Sequence, residues 1–199
     1  LALIRTNQLS VDNNTALLDA SGIGALGSAT ELTIAANPLL RVFPALPNLT
    51  YVKFLTVVSN GFETLALDLP ALQPDERFFG GRNVPLSAAM VDIGYNPNLT
   101  TITTPAGFPA VQYFNIGHND SLTDVDFGTL ERADLLSLEA NPLLQNVTTG
   151  SLATVDRLEL TNNPLLDPGA FAAVRTFDTV ITNGEPESPA PESPEPESP

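Results

Sequence analysis

Short stretches in which apolar and polar residues alternate recur along the chain, and each ends in an asparagine. The stretch "LSLEAN", from Leu136 to Asn141, is one example. Alternation with a period of two predicts a short β-strand whose two apolar side chains point to the same face. A weaker copy, "FFGGRN", ends at Asn83. The good copies end at the anchor residues Asn14, Asn37, Asn60, Asn96, Asn119, Asn141 and Asn163.

The spacing of these anchors indicates how the strands are arranged. Successive anchors lie 22 or 23 residues apart, except for a step of 13 residues from Asn83 to Asn96. A nearly constant period of this length is typical of a solenoid, in which each coil contacts only its neighbours. We therefore predict a β-rich, right-handed parallel β-solenoid of about eight coils with few long helices and one irregular coil.

The anchors themselves are predicted to be structural. Each asparagine follows a strand, where the chain must turn, and an inward amide there can satisfy backbone groups of the adjacent coils. Repeated asparagines would then form a ladder through the stack. A leucine three residues later, such as Leu144 after Asn141, is predicted to point inward again.

The spacing after the anchor resembles one known family. Proline often follows the asparagine, and leucine comes third, giving Asn-Pro-x-Leu at Asn37, Asn96, Asn141 and Asn163. This variant of the leucine-rich repeat is similar to the receptor L domain family, and the resemblance covers roughly residues 1–183. It implies an α/β family class and a role in recognition at the cell surface. The chain has no cysteine, so the resemblance favours microbial or algal surface proteins over animal receptors.

The outward residues of the predicted sheet are the candidates for binding, because solenoids commonly bind ligands on such a face. Neighbouring coils place Phe54, Met90, Tyr113 and Leu135 in one apolar-aromatic stripe, which is a partner site if exposed and part of the core if a flanking loop covers it. The sheet-face candidates are Phe54, Met90, Asp92, Tyr113, Asn115, Ser137, Glu139, Arg157 and Glu159.

Catalysis is an alternative interpretation of the same face. Asp92, Glu139 and Glu159 are outward carboxylates, and glycoside hydrolysis requires a pair about 5–9.5 Å apart. A polysaccharide-active parallel β-helix enzyme is therefore an alternative, although fold analogy alone does not establish activity. The single histidine, His118, precedes an anchor and is predicted to be a turn residue. We predict no catalytic residues, no cofactor and no metal site, since neither a nucleotide motif nor a calcium loop is present.

Composition limits the choice of partners. The net charge is −15, with only 8 lysines and arginines in 199 residues. Nucleic-acid binding depends on a basic surface that releases counterions, so nucleic acid is an unsuitable partner. No apolar run reaches the roughly 20 residues that span a bilayer, so we predict no membrane insertion by this segment.

Several asparagines lie in Asn-x-Ser/Thr sequons, which are glycosylation acceptors in secreted proteins. Asn119 is also an anchor, and its predicted inward position makes it a poor acceptor. The candidate acceptors are Asn13, Asn48, Asn98 and Asn146.

The last residues differ in character from the repeats. Residues 184–199 consist almost entirely of proline, glutamate and serine, so we predict a disordered tail or linker after a solenoid of residues 1–183. The motifs together favour a non-enzymatic extracellular or cell-surface module that binds a protein or glycan. A structural cell-wall component without a discrete ligand is a further alternative.

Overall fold

The computed structural model describes residues 4–79, 85–86 and 88–182, and within these ranges it contains strands, two short 3₁₀ helices and no α-helix. The 3₁₀ helices are Ser21–Ala25 and Pro168–Phe171. The strands are β1 (Ile4–Asp12), β2 (Leu26–Ala35), β3 (Tyr51–Val58), β4 (Thr64–Asp68), β5 (Asp75–Phe79), β6 (Pro85–Leu86), β7 (Ala88–Gly94), β8 (Thr101–Ala106), β9 (Ala110–Gly117), β10 (Asp124–Asp126), β11 (Arg132–Glu139), β12 (Asn146–Thr148), β13 (Thr154–Thr161) and β14 (Arg175–Thr182).

Two parallel sheets form the solenoid. The larger sheet has eight strands in the order β1-β2-β3-β7-β9-β11-β13-β14. The smaller has four strands in the order β12-β10-β8-β4. Every pairing within both sheets is parallel, and β5 and β6 form a separate antiparallel pair. The predicted parallel β-solenoid is therefore confirmed.

The core consists of the apolar residues that the alternation predicts to point inward. Leu136 and Leu138 on β11 are both fully buried, as is Leu144 after the anchor. The leucines three residues past Asn37, Asn96, Asn119 and Asn163 are also buried, and Leu17 in the first coil is partly buried. Asn60 is the exception, because the exposed Glu63 occupies this offset. Removing apolar surface from water in this way supplies the main driving force for stacking the coils.

The anchors form one continuous hydrogen-bonded ladder. In each step the backbone N–H and the side-chain amide of one anchor donate to the side-chain oxygen of the next, as Asn119 does to Asn141 at 3.1 and 3.3 Å. Six of the seven anchors are at most 1% exposed. Asn14 was predicted to point inward, but it is exposed, because it is the first rung and only Asn37 lies beside it. The rungs run through Asn14, Asn37, Asn60, Asn96, Asn119, Asn141 and Asn163.

The residue before each anchor adopts a left-handed backbone conformation, with φ between 51° and 58°. Non-glycine residues rarely adopt this conformation, and it costs about 1–2 kcal/mol per residue. It turns the chain sharply at the end of the strand, which brings the asparagine amide inward. The seven residues are Asn13, Ala36, Ser59, Tyr95, His118, Ala140 and Asn162.

The irregular coil differs from the prediction. The short step to Asn96 predicts an extra strand ending at Asn83, which lies outside the described residues. However, β3 pairs directly with β7, and Asn60 bonds directly to Asn96. The step of 36 positions between these two anchors therefore corresponds to one enlarged coil, which includes β4, β5 and β6. The eight strands of the main sheet are accordingly joined by seven connections.

The predicted tail, residues 184–199, also lies outside the described residues. The division of the chain at residue 183 remains a prediction.

Candidate functional site

The apolar stripe predicted on the outward face lies across four adjacent strands. Phe54 on β3 is in register with Met90 on β7, Met90 with Tyr113 on β9, and Tyr113 with Leu135 on β11. All four side chains are partly exposed, so the stripe is not fully buried. Lys53 lies over the ring of Phe54, with its ammonium nitrogen 4.9 Å from the ring centroid. The stripe is thus an accessible apolar feature with a cation at one end.

A polar column runs beside the stripe, two residues further along each strand. Asp92, Asn115, Ser137 and Glu159 occupy successive strands in register. The Nδ2 atom of Asn115 donates to Oδ1 of Asp92 at 2.8 Å. The Oδ1 atom of Asn115 is buried and, among the described residues, accepts no hydrogen bond. A buried acceptor without a donor is unfavourable, by roughly 1–3 kcal/mol.

Ser137 occupies an unusual position within this column. Its side chain points outward, because Leu136 and Leu138 on either side point into the core. Ser137 is nevertheless only 4% exposed. Its neighbours on the sheet surface are Asn115 and Glu159 on the adjacent strands, with Glu139 two residues further along its own strand.

The charged candidates differ in their surroundings. Arg157 is exposed and donates to Glu159 at 2.6 Å and to Asp178 at 3.1 Å. Glu139 is exposed at the end of β11. Burial raises the pKa of the Tyr113 hydroxyl above its usual value, and the negative charges of Asp92, Glu159 and Glu139 raise it further. The three carboxylates therefore act on one phenol from different strands.

The outward glycines do not form an open depression. Gly94 and Gly117 are buried, although glycine in a strand often leaves room for the close approach of a ligand. A Cβ atom on Gly117 would lie 3.6 Å from Nδ2 of Asn115, so the asparagine amide fills that space. A Cβ atom on Gly94 would lie 3.1 Å from the Gly117 carbonyl oxygen. These glycines allow the neighbouring strands and the Asp92–Asn115 pair to pack closely.

An aromatic pair borders the face and was not predicted from the sequence. The rings of Tyr95 and His118 stack with their centroids 4.6 Å apart and their planes 6° apart. Both residues precede anchors in adjacent coils, and Tyr95 is 59% exposed. His118 is a turn residue, as predicted, with φ of 57°. The sequence did contain a signal for this stack, because Tyr95 and His118 each lie one residue before an anchor, Asn96 and Asn119.

One sequon asparagine is buried and the other four are exposed, as the repeat predicts. Asn119 is fully buried, as its role in the ladder requires. The four candidate acceptors are all exposed, although Asn146 donates to Asp124 at 2.8 Å and Asn48 to the Gly24 carbonyl at 3.2 Å. Asn13 and Asn98 complete the exposed set.

Groups that could hold a metal ion and helices that could span a membrane are both absent from the part of the chain that the structure describes. No group of three or more histidine, aspartate or glutamate side chains there is arranged to hold a metal ion. No helix there is long and apolar enough to cross a membrane.

Comparison of the chain with protein-family models, curated proteins and solved structures found no match. The fold class is therefore a parallel β-solenoid with an asparagine ladder, established from its own strands. The similarity to the receptor L domain family remains a prediction from the Asn-Pro-x-Leu motif.

Proposed function

We propose that the protein is a non-enzymatic recognition or adhesion module of the cell surface or extracellular space, which binds a protein or glycan through the outward face of its main sheet. The observation that carries the proposal is the partly exposed stripe of Phe54, Met90, Tyr113 and Leu135 across four adjacent strands. A contiguous apolar patch with a polar border is typical of an interaction surface.

The rigidity of the face supports the same proposal. Each strand of the stripe is paired on both sides within the sheet, and each is followed by an anchor of the ladder. A surface held in this way loses little conformational entropy on binding. An extended, preorganised face suits a macromolecular ligand better than a small metabolite, which is usually enclosed in a concave pocket.

The experiment is binding of the purified chain to arrayed glycans and extracellular proteins, followed by the same measurement on variants. Phe54→Ser at one end of the stripe and Tyr113→Ser within it remove apolar contact area and are expected to weaken binding at least tenfold. Thr148→Ala, at an exposed position on the smaller sheet, is the control and should bind as the wild type does. Unchanged binding by both stripe variants would show that the face is not the binding surface.

A polysaccharide-active enzyme is the second candidate, and one observation favours it. Glu139 and Glu159 lie on adjacent strands, offset by two residues, which separates their backbones by roughly 8 Å. Backbones at this separation allow the two carboxyl groups to approach within the range for a catalytic pair. Asp92 is three strands from Glu159, roughly 14 Å away, and is too distant to pair with it.

The bond from Arg157 to Glu159 weighs against this candidate, because it stabilises the ionised carboxylate whereas a general acid must keep its proton. Release of reducing sugar from polysaccharides, abolished by Glu159→Gln, would establish the enzyme instead. A structural cell-wall component would show neither turnover nor discrete binding.

A further inference from the structure

The surface around Ser137 has an excess of hydrogen-bond acceptors. The column on either side of it contributes Asp92, Glu159 and the unpaired Oδ1 atom of Asn115. Glu139 adds a third carboxylate on the same strand as Ser137. The only cation in this group, Arg157, already donates to Glu159 and Asp178.

The burial of Ser137 and of the Asn115 amide oxygen makes this excess of hydrogen-bond acceptors significant. Ser137 is an outward polar residue, but its neighbours cover it so that it is only 4% exposed. No hydrogen bond of its hydroxyl occurs within the described part of the chain. The nearby Asn115 Oδ1 atom is likewise buried without a donor, and its orientation is fixed because the other amide atom donates to Asp92. The Ser137 hydroxyl and the Asn115 amide oxygen thus lie on adjacent strands, neither of them hydrogen-bonded within the described residues, near three carboxylates.

The chemistry that completes such a surface is a positively charged group with several N–H donors. A guanidinium offers five donors in a rigid plane and a permanent charge, and its bonds to carboxylates are among the stronger ones in proteins. The adjacent apolar stripe would contact the aliphatic or aromatic side chains that surround such an arginine on a protein surface. Arginine next to apolar residues is a common composition for the centre of a protein interface.

We propose that the surface around Ser137 binds an arginine side chain presented by a basic partner protein, with Glu139 and Glu159, on adjacent strands, as its carboxylate acceptors. This inference rests on the proposed binding role of the sheet face, and it selects a protein over a glycan as the ligand. The net charge of −15 supports it, since a basic partner would be steered toward the chain.

The test uses the full chain and two synthetic peptides of alternating arginine, leucine and serine, one of which carries citrulline in place of every arginine. Citrulline keeps the shape of the side chain and removes its charge. We expect the arginine peptide to bind at least about tenfold more tightly, as charge-assisted hydrogen bonds require. Equal binding of the two peptides would overturn the proposal.

A matched pair of variants separates this site from the general attraction of an acidic protein for a basic peptide. Glu139→Gln and Glu31→Gln each remove one exposed carboxylate from the same sheet face. Glu31 on β2 is four strands from β11, roughly 19 Å away and beyond the screening length of about 8 Å at physiological salt. We expect Glu139→Gln to weaken binding several-fold and Glu31→Gln to leave it nearly unchanged. An equal loss in both variants would contradict a local site.

The two proposals fail in different ways. If the arginine peptide shows no preference but Phe54→Ser and Tyr113→Ser still abolish binding on the arrays, the face binds a ligand of other chemistry. If the stripe variants bind normally, the proposed function itself is wrong, whatever the peptides do.

Discussion

Removing one internal rung of the asparagine ladder is predicted to be among the most destabilising single changes in the chain. The side-chain oxygen of Asn141 accepts from the backbone N–H of Asn119 at 3.1 Å, and its Nδ2 atom donates to the Ile116 carbonyl at 3.0 Å. Asn141→Ala removes both bonds where water does not reach, since Asn141 and Asn119 are fully buried. Each buried group that loses its partner costs about 1–3 kcal/mol, so the expected loss is about 2–6 kcal/mol. That is a large share of the 5–15 kcal/mol typical of a whole domain.

The first rung provides a matched control. Asn14 is exposed, and its amide donates to the Asp12 carbonyl at 2.9 Å and to Asn37 at 3.2 Å. Water can replace these bonds, so Asn14→Ala should cost less than about 1 kcal/mol. Urea unfolding followed by far-ultraviolet circular dichroism measures both variants in a chain without tryptophan. Hydrogen exchange at the Asn119 amide reports the lost bond directly. Equal stability of the two variants, with the Asn119 amide still protected, would refute the structural role of the ladder.

Three further predictions concern the turns and the sheet face. Ala140→Asn should raise the urea midpoint, with a gain of about 0.5 kcal/mol, because φ is 51° at this position and asparagine tolerates the left-handed conformation better than alanine. Gly128→Ala should lower the thermal midpoint sharply, since its Cβ would lie 2.2 Å from a backbone oxygen, whereas the control Gly22→Ala meets no atom within 4 Å. The raised pKa of Tyr113 means that the folded state favours the neutral phenol. The contribution of the neutral phenol to the free energy of unfolding is present below the pKa of the unfolded state, and it is lost as pH rises through the pKa of the folded state. Ultraviolet titration should show that Glu139→Gln moves this pKa back toward its usual value.

Much of the scaffold could be predicted because its determinants are local and repeated. The apolar pair before Asn141 and the leucine after it, Leu144, occur at fixed offsets in nearly every coil, so period-two alternation was enough to place them inward. The parallel sheet followed from the period, since equal coil lengths return the chain to an adjacent, equally directed strand.

The pairing around the enlarged coil could not be predicted from the motif. The stretch ending at Asn83 has the right spacing from Asn60, but spacing does not state which strand lies beside β3. The structure places β7 there instead, and the anchor Asn96 accepts from Asn60. Strand partners depend on contacts between distant residues, which a local pattern does not contain.

The left-handed conformation of the residue before each anchor could not be predicted either, for a different reason. Alanine, serine, tyrosine, histidine and asparagine all occur before the anchors, so residue type gives no common signal at this position. The conformation is imposed by the inward bonds of the asparagine that follows, as with Tyr95 before Asn96. The Tyr95–His118 stack is then a consequence of two aromatic residues at the same offset in adjacent coils.

The same register that builds the scaffold also determines where function can be located. Columns that point inward repeat one residue type, because every coil must fill the same space and bond to the same backbone groups. Columns that point outward are free to vary, and across β7 to β13 they change from Asp92 and Asn115 to Ser137 and Glu159. Sequence alternation identified these residues as outward, but only the cross-strand contacts show that Ser137 is enclosed and that Asn115 lacks a donor. The chemical specificity of the face is therefore a property of neighbouring coils, and a substitution in one coil should change the ligand contacts of the next.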